Sequence, residues 1–347
     1  MAQQNLEELR AKRTRWAEHH FPIVNVPKIP TMAKKVAIEA AIPGWQPKAW
    51  YTERGVHNLP PITFDEQADA IVECVKAGAS VIHTHPIDPD TGISAPVNSP
   101  SVLPRHTECL MEVMDRVFDK VDVVTAHHTW VTDTSKSLEV DYITHTKQLL
   151  EAGKARGVGN RYVQSCLIMT VTNYEPGQPV HSDKGIEEGT KWMEDNGIKP
   201  MIEVESFAMP RVKQYLFDSG IAKWKPYWFA IQEGKHGDDR VFADPWASLE
   251  VITSMGLARQ ILGEDGFIGI HPAGRNWLPL ATQALMLGAE LVRVGIEDIF
   301  YLYPHRDDIS QKASDSTEIV AKIITALGRE IATPQDVRDR VGIKLTK

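Results

Sequence analysis

His83 and His85 stand one residue apart at the end of the apolar run Val81-Ile82-His83-Thr84-His85. Side chains on a β-strand alternate between faces, so in a strand the two imidazoles share a face and can reach one metal ion together. The competing reading of such a pair is two ordinary polar residues at a loop mouth, and only the rest of the chain separates the two. Far downstream the apolar Leu291-Val292-Arg293-Val294-Gly295-Ile296 runs into Glu297-Asp298. Two imidazoles and one carboxylate make a zinc-binding set that leaves a coordination position open for water or substrate. An isolated acidic pair after a strand is more simply a solvated turn, so its meaning depends on whether the fold carries it to the histidines.

The order of elements answers that question. From residue 35 onward, short β-branched runs predict strands over 35–42, 79–85, 121–127, 162–169, 200–206, 226–232, 267–271 and 291–296. Helical periodicity fills the intervals near 64–77, 101–118, 137–155, 185–197, 209–219, 246–262 and 276–288, with a last helix near 315–329. Eight uninterrupted βα units favour an α/β fold of the closed (β/α)8 TIM-barrel type over an open doubly wound sheet. The open sheet would want a GxGxxG turn after the first strand, where the chain reads Gly44-Trp45-Gln46-Pro47. In a barrel only strand one separates strands two and eight, so a carboxylate after strand eight meets both histidines. Residues 1–34 read as an N-terminal helical arm and 35–347 as the catalytic domain. A short C-terminal helix, announced by Thr333 before Pro334, is expected to dock on the barrel exterior. The long connections 43–63, 86–100 and 128–136 all follow early strands and would gather at the catalytic face as lids and binding walls.

Composition narrows the function classes. The 347 residues are 42% hydrophobic and 24% charged, enough to bury a large core. A formal net charge of -8, without clustered Lys and Arg, argues against a nucleic-acid partner. No apolar run has the length of a membrane span, and the stretch holding Leu6, Leu9 and Trp16 is a charged helical pattern unlike a secretory signal. Cys74, Cys109 and Cys166 are odd in number and far apart, which implies buried thiols and no disulfide framework. A cytoplasmic protein is the expectation, with the N-terminal helix as a candidate contact in a homo-oligomer.

Six segments together resemble the β-keto acid cleavage enzymes, the family of 3-keto-5-aminohexanoate cleavage enzyme. They are Ala40-Ala41-Ile42-Pro43-Gly44, Leu59-Pro60-Pro61-Ile62-Thr63, Ala77-Gly78-Ala79 leading to His83-Thr84-His85, Asp88-Pro89-Asp90-Thr91-Gly92, Arg293 through Asp298, and Gly328 through Pro334. The resemblance spans residues 35 to about 343 in the family's order. It implies a zinc-dependent barrel that cleaves a small β-keto acid with acetyl-CoA, giving acetoacetate and a new acyl-CoA, in a dimer or tetramer. It makes His83, His85 and Glu297 the metal ligands and Arg293 with Asp298 the catalytic pair. Glu203 matches a family position in the barrel mouth, with Glu205 on the same strand face as an alternative carboxylate. Asp298 would be the general base, while Arg293 would either hold Asp298 oriented or bind a substrate carboxylate.

Three departures from the family pattern touch the substrate side. Thr125-Ala126-His127-His128-Thr129-Trp130 stands where the family has a small Thr/Ser and Gly-rich turn. Pro86 and Ile87 follow the metal histidines where an arginine is common, and Trp45-Gln46-Pro47 replaces an acidic residue in the first loop. His127 or His128 is therefore a candidate added acid/base, as is His271 at the end of the seventh strand. Arg275 and Asn276, ahead of the seventh helix, are candidates for binding a phosphate or carboxylate, and so for acetyl-CoA. The same parts permit another chemistry, a zinc-dependent hydrolase or CoA-independent lyase acting on a small carboxylated substrate. A non-catalytic metal-bearing sensor on the same barrel is a third reading.

Overall fold

In the computed structural model, which describes residues 2–20, 27–44, 46–94, 101–133, 136–170, 179–234 and 247–346, period-two alternation along eight short strands sorts apolar side chains into two cores. The chain divides into two units, Met1–Ala33 and Lys34–Lys347. The first holds the helix Ala2–His20, on which Leu6, Leu9 and Trp16 are exposed, and a single 3-10 turn over Pro30–Ala33. The second is the barrel.

Its strands are β1 (Ala37–Ile42), β2 (Val81–Thr84), β3 (Val124–His127), β4 (Ser165–Met169), β5 (Lys199–Val204), β6 (Tyr227–Glu233), β7 (Gly266–Pro272) and β8 (Leu291–Val294). They run parallel and close on themselves, with β1 paired to both β2 and β8. Between them lie α1 (Phe64–Lys76), α2 (Leu103–Phe118), α3 (Thr144–Ala155), α4 (Asp183–Asp195), α5 (Met209–Val212, continuing as a π-helical turn over Lys213–Asp218), α6 (Ala247–Leu262), α7 (Trp277–Met286) and α8 (Asp315–Ala326). Residues such as Ile38, Ile82, Ile202 and Val292 face this helical layer, while Val81, Val124, Met201 and Leu291 fill the barrel interior. Burial of the two layers in one chain is the main favourable term for the fold.

Local chemistry sets the boundaries. Thr63 and Glu66 form a reciprocal capping box that starts α1, and the Ser182 hydroxyl accepts from the Gly185 amide to start α4. The helix expected over 137–155 begins only at Thr144, because residues before it bridge instead to Val131 and Val180. A two-residue antiparallel pairing of Ile87–Asp88 with Ile93–Ser94 inside the second βα loop has no counterpart in the sequence reading. Strands this short carry too little periodicity to be read.

The C-terminal helix α9 (Pro334–Val341) departs from expectation in its position. Thr333 caps it with Asp336 as expected, but Val337 and Val341 join the interior cluster with Ala37, Val81 and Phe267. It closes the N-terminal end of the barrel rather than lying on its exterior, because its apolar face extends the interior core. Arg338 fixes it there. Its guanidinium donates to both Asp122 carboxylate oxygens at 2.7 Å, to Gln164 Oε1 at 2.8 Å and to the Val123 carbonyl at 2.9 Å. Arg338→Met leaves the half-exposed Asp122 carboxylate and the buried Gln164 Oε1 without their donor, while the Val123 carbonyl keeps the Gln164 amide at 3.0 Å, so urea denaturation is expected to show a stability loss of about 1–3 kcal/mol.

Candidate active site

Register and alternation assemble the site at the C-terminal end of the strands. Ala41 on β1 pairs with His83 on β2, and His83 points inward like Val81. His85 follows just past the strand on the same side. On β8, Leu291 and Arg293 point inward, and the chain then turns at Gly295, with φ +130°. A Cβ there would stand 2.3 Å from the Ala41 carbonyl oxygen, so only glycine lets β8 pass this close to β1. That passage ends the strand at Val294, short of the expected 296, and delivers Glu297 to the histidines.

His83 Nε2 and His85 Nε2 lie 3.0 Å apart, with Glu297 oxygens 3.6 Å from the first and 4.0 Å from the second. The three donor atoms fall within 4.8 Å of one another, the one such group of three or more found among the described residues. His83 Nδ1 sits 2.8 Å from the Ala126 carbonyl, which only accepts, so Nδ1 carries the hydrogen and Nε2 presents its lone pair. Burial, with the nearby Arg293 guanidinium and His85, drives His83 well below the ordinary histidine range and keeps it neutral. An imidazole pair and a carboxylate converging on one point suit a borderline divalent ion.

Arg293 organises the carboxylates around this point. Its Nε donates to Asp298 at 2.8 Å, Nη2 to Glu297 at 2.6 Å and Nη1 to Glu39 at 3.4 Å. The side chain is 2% exposed, and although burial disfavours its charge, Asp298, Glu297 and Glu39 outweigh that and raise its pKa. Glu39, directly opposite Arg293 in the β1–β8 register and fully buried, was not among the expected residues. A lone carboxylate inside the apolar run of β1 is the signal that marks it. Beyond it His271 Nδ1 lies 2.9 Å from Glu203 and Nε2 lies 3.6 Å from Glu39. Burial alone would lower this imidazole, but Glu39 and Glu203 raise it above the ordinary histidine value. Four carboxyl groups thus surround one guanidinium and one imidazole, an excess of acid that a divalent cation would offset.

The structure brings together His83, His85, Glu203, Arg293, Glu297 and Asp298, with His271 linking Glu203 to Glu39. Glu205, just past β5, is also buried. His127 does not join them. It pairs in sequence with the outward side of β3, like Thr84 and Thr125, and its Nδ1 accepts from the Thr84 amide at 3.4 Å. Burial, with His145, pushes it down to about 3. His128 takes the inward place, its ring 5.0 Å from that of His85. Asn276 is buried at the start of α7. Arg275 stacks 3.6 Å over Tyr301, donates to the Arg306 carbonyl at 2.7 Å and pairs with Asp307 at the rim. Trp45, and parts of the loops 86–100 and 128–136, lie outside the described residues.

Barrel and site together define a class: a (β/α)8 enzyme with a two-histidine, one-carboxylate centre at its C-terminal mouth. Residues 35–343 match the model of the beta-keto acid cleavage enzyme family, and the chain belongs to that family. It is 26% identical over 306 residues to the 3-dehydrocarnitine:acetyl-CoA trimethylamine transferase of Rhizobium meliloti (strain 1021), covering 83% of this chain and 90% of the relative. It is 25% identical over 319 residues to the 3-keto-5-aminohexanoate cleavage enzyme of Fusobacterium nucleatum subsp. nucleatum, covering 90% and 100%. A 3,5-dioxohexanoate:acetyl-CoA acetone transferase of Paraburkholderia graminis is 22% identical over 291 residues, covering 82% and 89%. Among solved structures, apo ObcA superimposes with a TM-score of 0.62 at 16% identity over 82% of this chain and 65% of that one, a likeness of fold.

The buried histidines behind β3 give a pH prediction. His145 is pushed down to about 3 by burial, and so is neutral when folded, whereas it titrates near its ordinary value when unfolded. A depressed folded pKa means that its contribution is complete above about pH 6.5 and is lost as pH falls toward the folded value. His145→Met is expected to remove one proton equivalent, about 1.4 kcal/mol per pH unit, from the slope of unfolding free energy between pH 6 and 4, as measured by denaturation across pH.

Proposed function

We propose that the chain is a zinc-dependent β-keto acid cleavage enzyme, breaking a carbon–carbon bond of a small β-keto acid with acetyl-CoA to give acetoacetate and a new acyl-CoA. The observation that carries this reading is the convergence of His83, His85 and Glu297 within 4.8 Å, beside Asp298 held by Arg293, in a chain whose relatives include named acetyl-CoA transferases. A divalent ion at the triad would supply Lewis-acid polarisation of the keto oxygen. Asp298 is the general base, its carboxylate aimed by Arg293 Nε. The Arg293 guanidinium is already committed to three carboxylates, which favours orienting Asp298 over binding a substrate carboxylate. Glu203 pairs with His271, which also lies 3.6 Å from Glu39, and these two carboxylates favour the charged form of the imidazole between them.

Arg275 and Asn276 are the proposed contact for the phosphorylated part of acetyl-CoA, with Arg275 exchanging its pairing to the exposed Asp307 for a phosphate. The exposed Leu6, Leu9 and Trp16 fit assembly into a homo-oligomer, which light scattering would measure. Among the described residues no helix is long and apolar enough to cross a membrane.

Zinc-loaded protein is expected to convert at least one small β-keto acid to acetoacetate and an acyl-CoA only when acetyl-CoA is present. Equal rates with and without acetyl-CoA, or incorporation of label from heavy-oxygen water into the product after correction for carboxylate exchange, would instead establish the lyase or hydrolase reading. His85→Ala and Glu297→Gln should abolish bound metal by elemental analysis. Asp298→Asn should retain metal and lower kcat about 10²- to 10⁴-fold.

A further inference from the structure

His83 and His85 reach the same point by different means. His83 lies on β2, where the register with β1 and the Ala126 carbonyl fix it. His85 stands one residue past the end of that strand, so its place depends on what holds the chain immediately after it. Pro86 has no amide hydrogen to give. Both main-chain groups of Ile87 go to one side chain, that of Gln67 near the start of α1. The Ile87 amide donates to Gln67 Oε1 at 2.9 Å, and Gln67 Nε2 donates to the Ile87 carbonyl at 2.9 Å. The second hydrogen on Nε2 goes to the Ile62 carbonyl at 2.7 Å, just ahead of the same helix. These partners settle the orientation of the side-chain amide, since only its oxygen accepts from an N–H and only its nitrogen donates to two carbonyls. Gln67 is buried and directly follows Glu66 of the capping box, so the support stands on a fixed helix start.

We propose that Gln67 is a positioning residue for the metal centre: its side-chain amide stands in for a neighbouring strand at Ile87 and so sets where the His85 imidazole meets His83 and Glu297. This role presupposes the divalent-metal centre proposed above. The Ile87 side chain is apolar, so the segment is tied here through its main chain. The next tie along the chain is weaker. Asp88 receives bonds from Arg105 at 2.7 and 3.0 Å, but the Arg105 side chain is 36% exposed and solvent screens the pair. An apolar residue at 67 would leave the Ile87 amide and carbonyl without these partners in a place shut off from water, and the chain beside His85 would have to move to pair them again. Residues that orient a metal ligand from behind typically change metal affinity about 10- to 100-fold when removed.

The test compares wild type with Gln67→Met and, as a control for lost stability, Arg338→Met at the opposite end of the barrel. Zinc affinity is measured by competition with a chromophoric chelator, and the visible absorption of the cobalt-substituted proteins reports the geometry around the ion. Gln67→Met should bind zinc about 10- to 100-fold more weakly and shift the cobalt bands, while Arg338→Met keeps zinc affinity within about twofold of wild type. Lower melting temperatures in both variants with zinc affinities and cobalt spectra unchanged, or equal losses of affinity in both, overturn the inference. If Gln67→Met does not fold, wild type alone decides. Coupling is reciprocal, so zinc should slow hydrogen exchange of the Ile87 amide about tenfold more than that of the remote Ile343 amide, which donates to the Arg338 carbonyl at 2.9 Å. Equal slowing at the two amides overturns it. If wild type binds no divalent metal, the proposed function fails, and crystal structures of metal-free wild type and Gln67→Met still decide the role of Gln67: a displaced His85 in the variant supports it and an unmoved one overturns it.

Discussion

One buried guanidinium holds the mouth of this barrel together. Arg293 reaches Asp298, Glu297 and Glu39 from the middle of β8, and none of these carboxylates could stay beside another in a closed site without it. Removing the charge would leave several acids facing each other in a medium where repulsion is poorly screened. The same contacts decide direction as well as balance. Glu297 lies beside the histidines and Asp298 is held apart from it because each is tied to a different nitrogen of a planar fork.

This arrangement depends on backbone geometry that looks unremarkable in sequence. Gly295 lets β8 approach Ala41 closely enough for the Glu297 amide to meet the Ala41 carbonyl at 3.3 Å. The imidazole of His83 is likewise aimed by a main-chain oxygen, that of Ala126 on the neighbouring strand. Parallel pairing of three consecutive strands, β8, β1 and β2, is thus the scaffold of the candidate centre, and β3 fixes its tautomer.

Much of this was legible in the sequence, and the failures are informative. Eight alternating units gave the barrel because strand and helix periods differ plainly over long segments, and strand order alone could bring the Glu297-Asp298 pair to His83 and His85, while the family resemblance singled out Glu297 and Arg293. His127 and His128 could not be told apart, since a shift of one residue in the end of β3 exchanges inward for outward. Glu39 escaped notice because a single acid in an apolar run has no motif around it. The C-terminal helix was assigned the wrong location because its amphipathic pattern states that a face is buried without saying against what.

That last element has a consequence for how the chain matures. The helix that seals the interior is encoded after all eight strands, and its valines complete a core whose other members lie on strands spread through the whole sequence. A growing polypeptide can pair strands and pack the outer helices as they emerge, but its inner core stays open to water at one end until the closing segment has been made. Synthesis halted shortly before that point would leave a barrel-like body with an unsealed floor, a shape that quality-control proteases can distinguish from the finished protein.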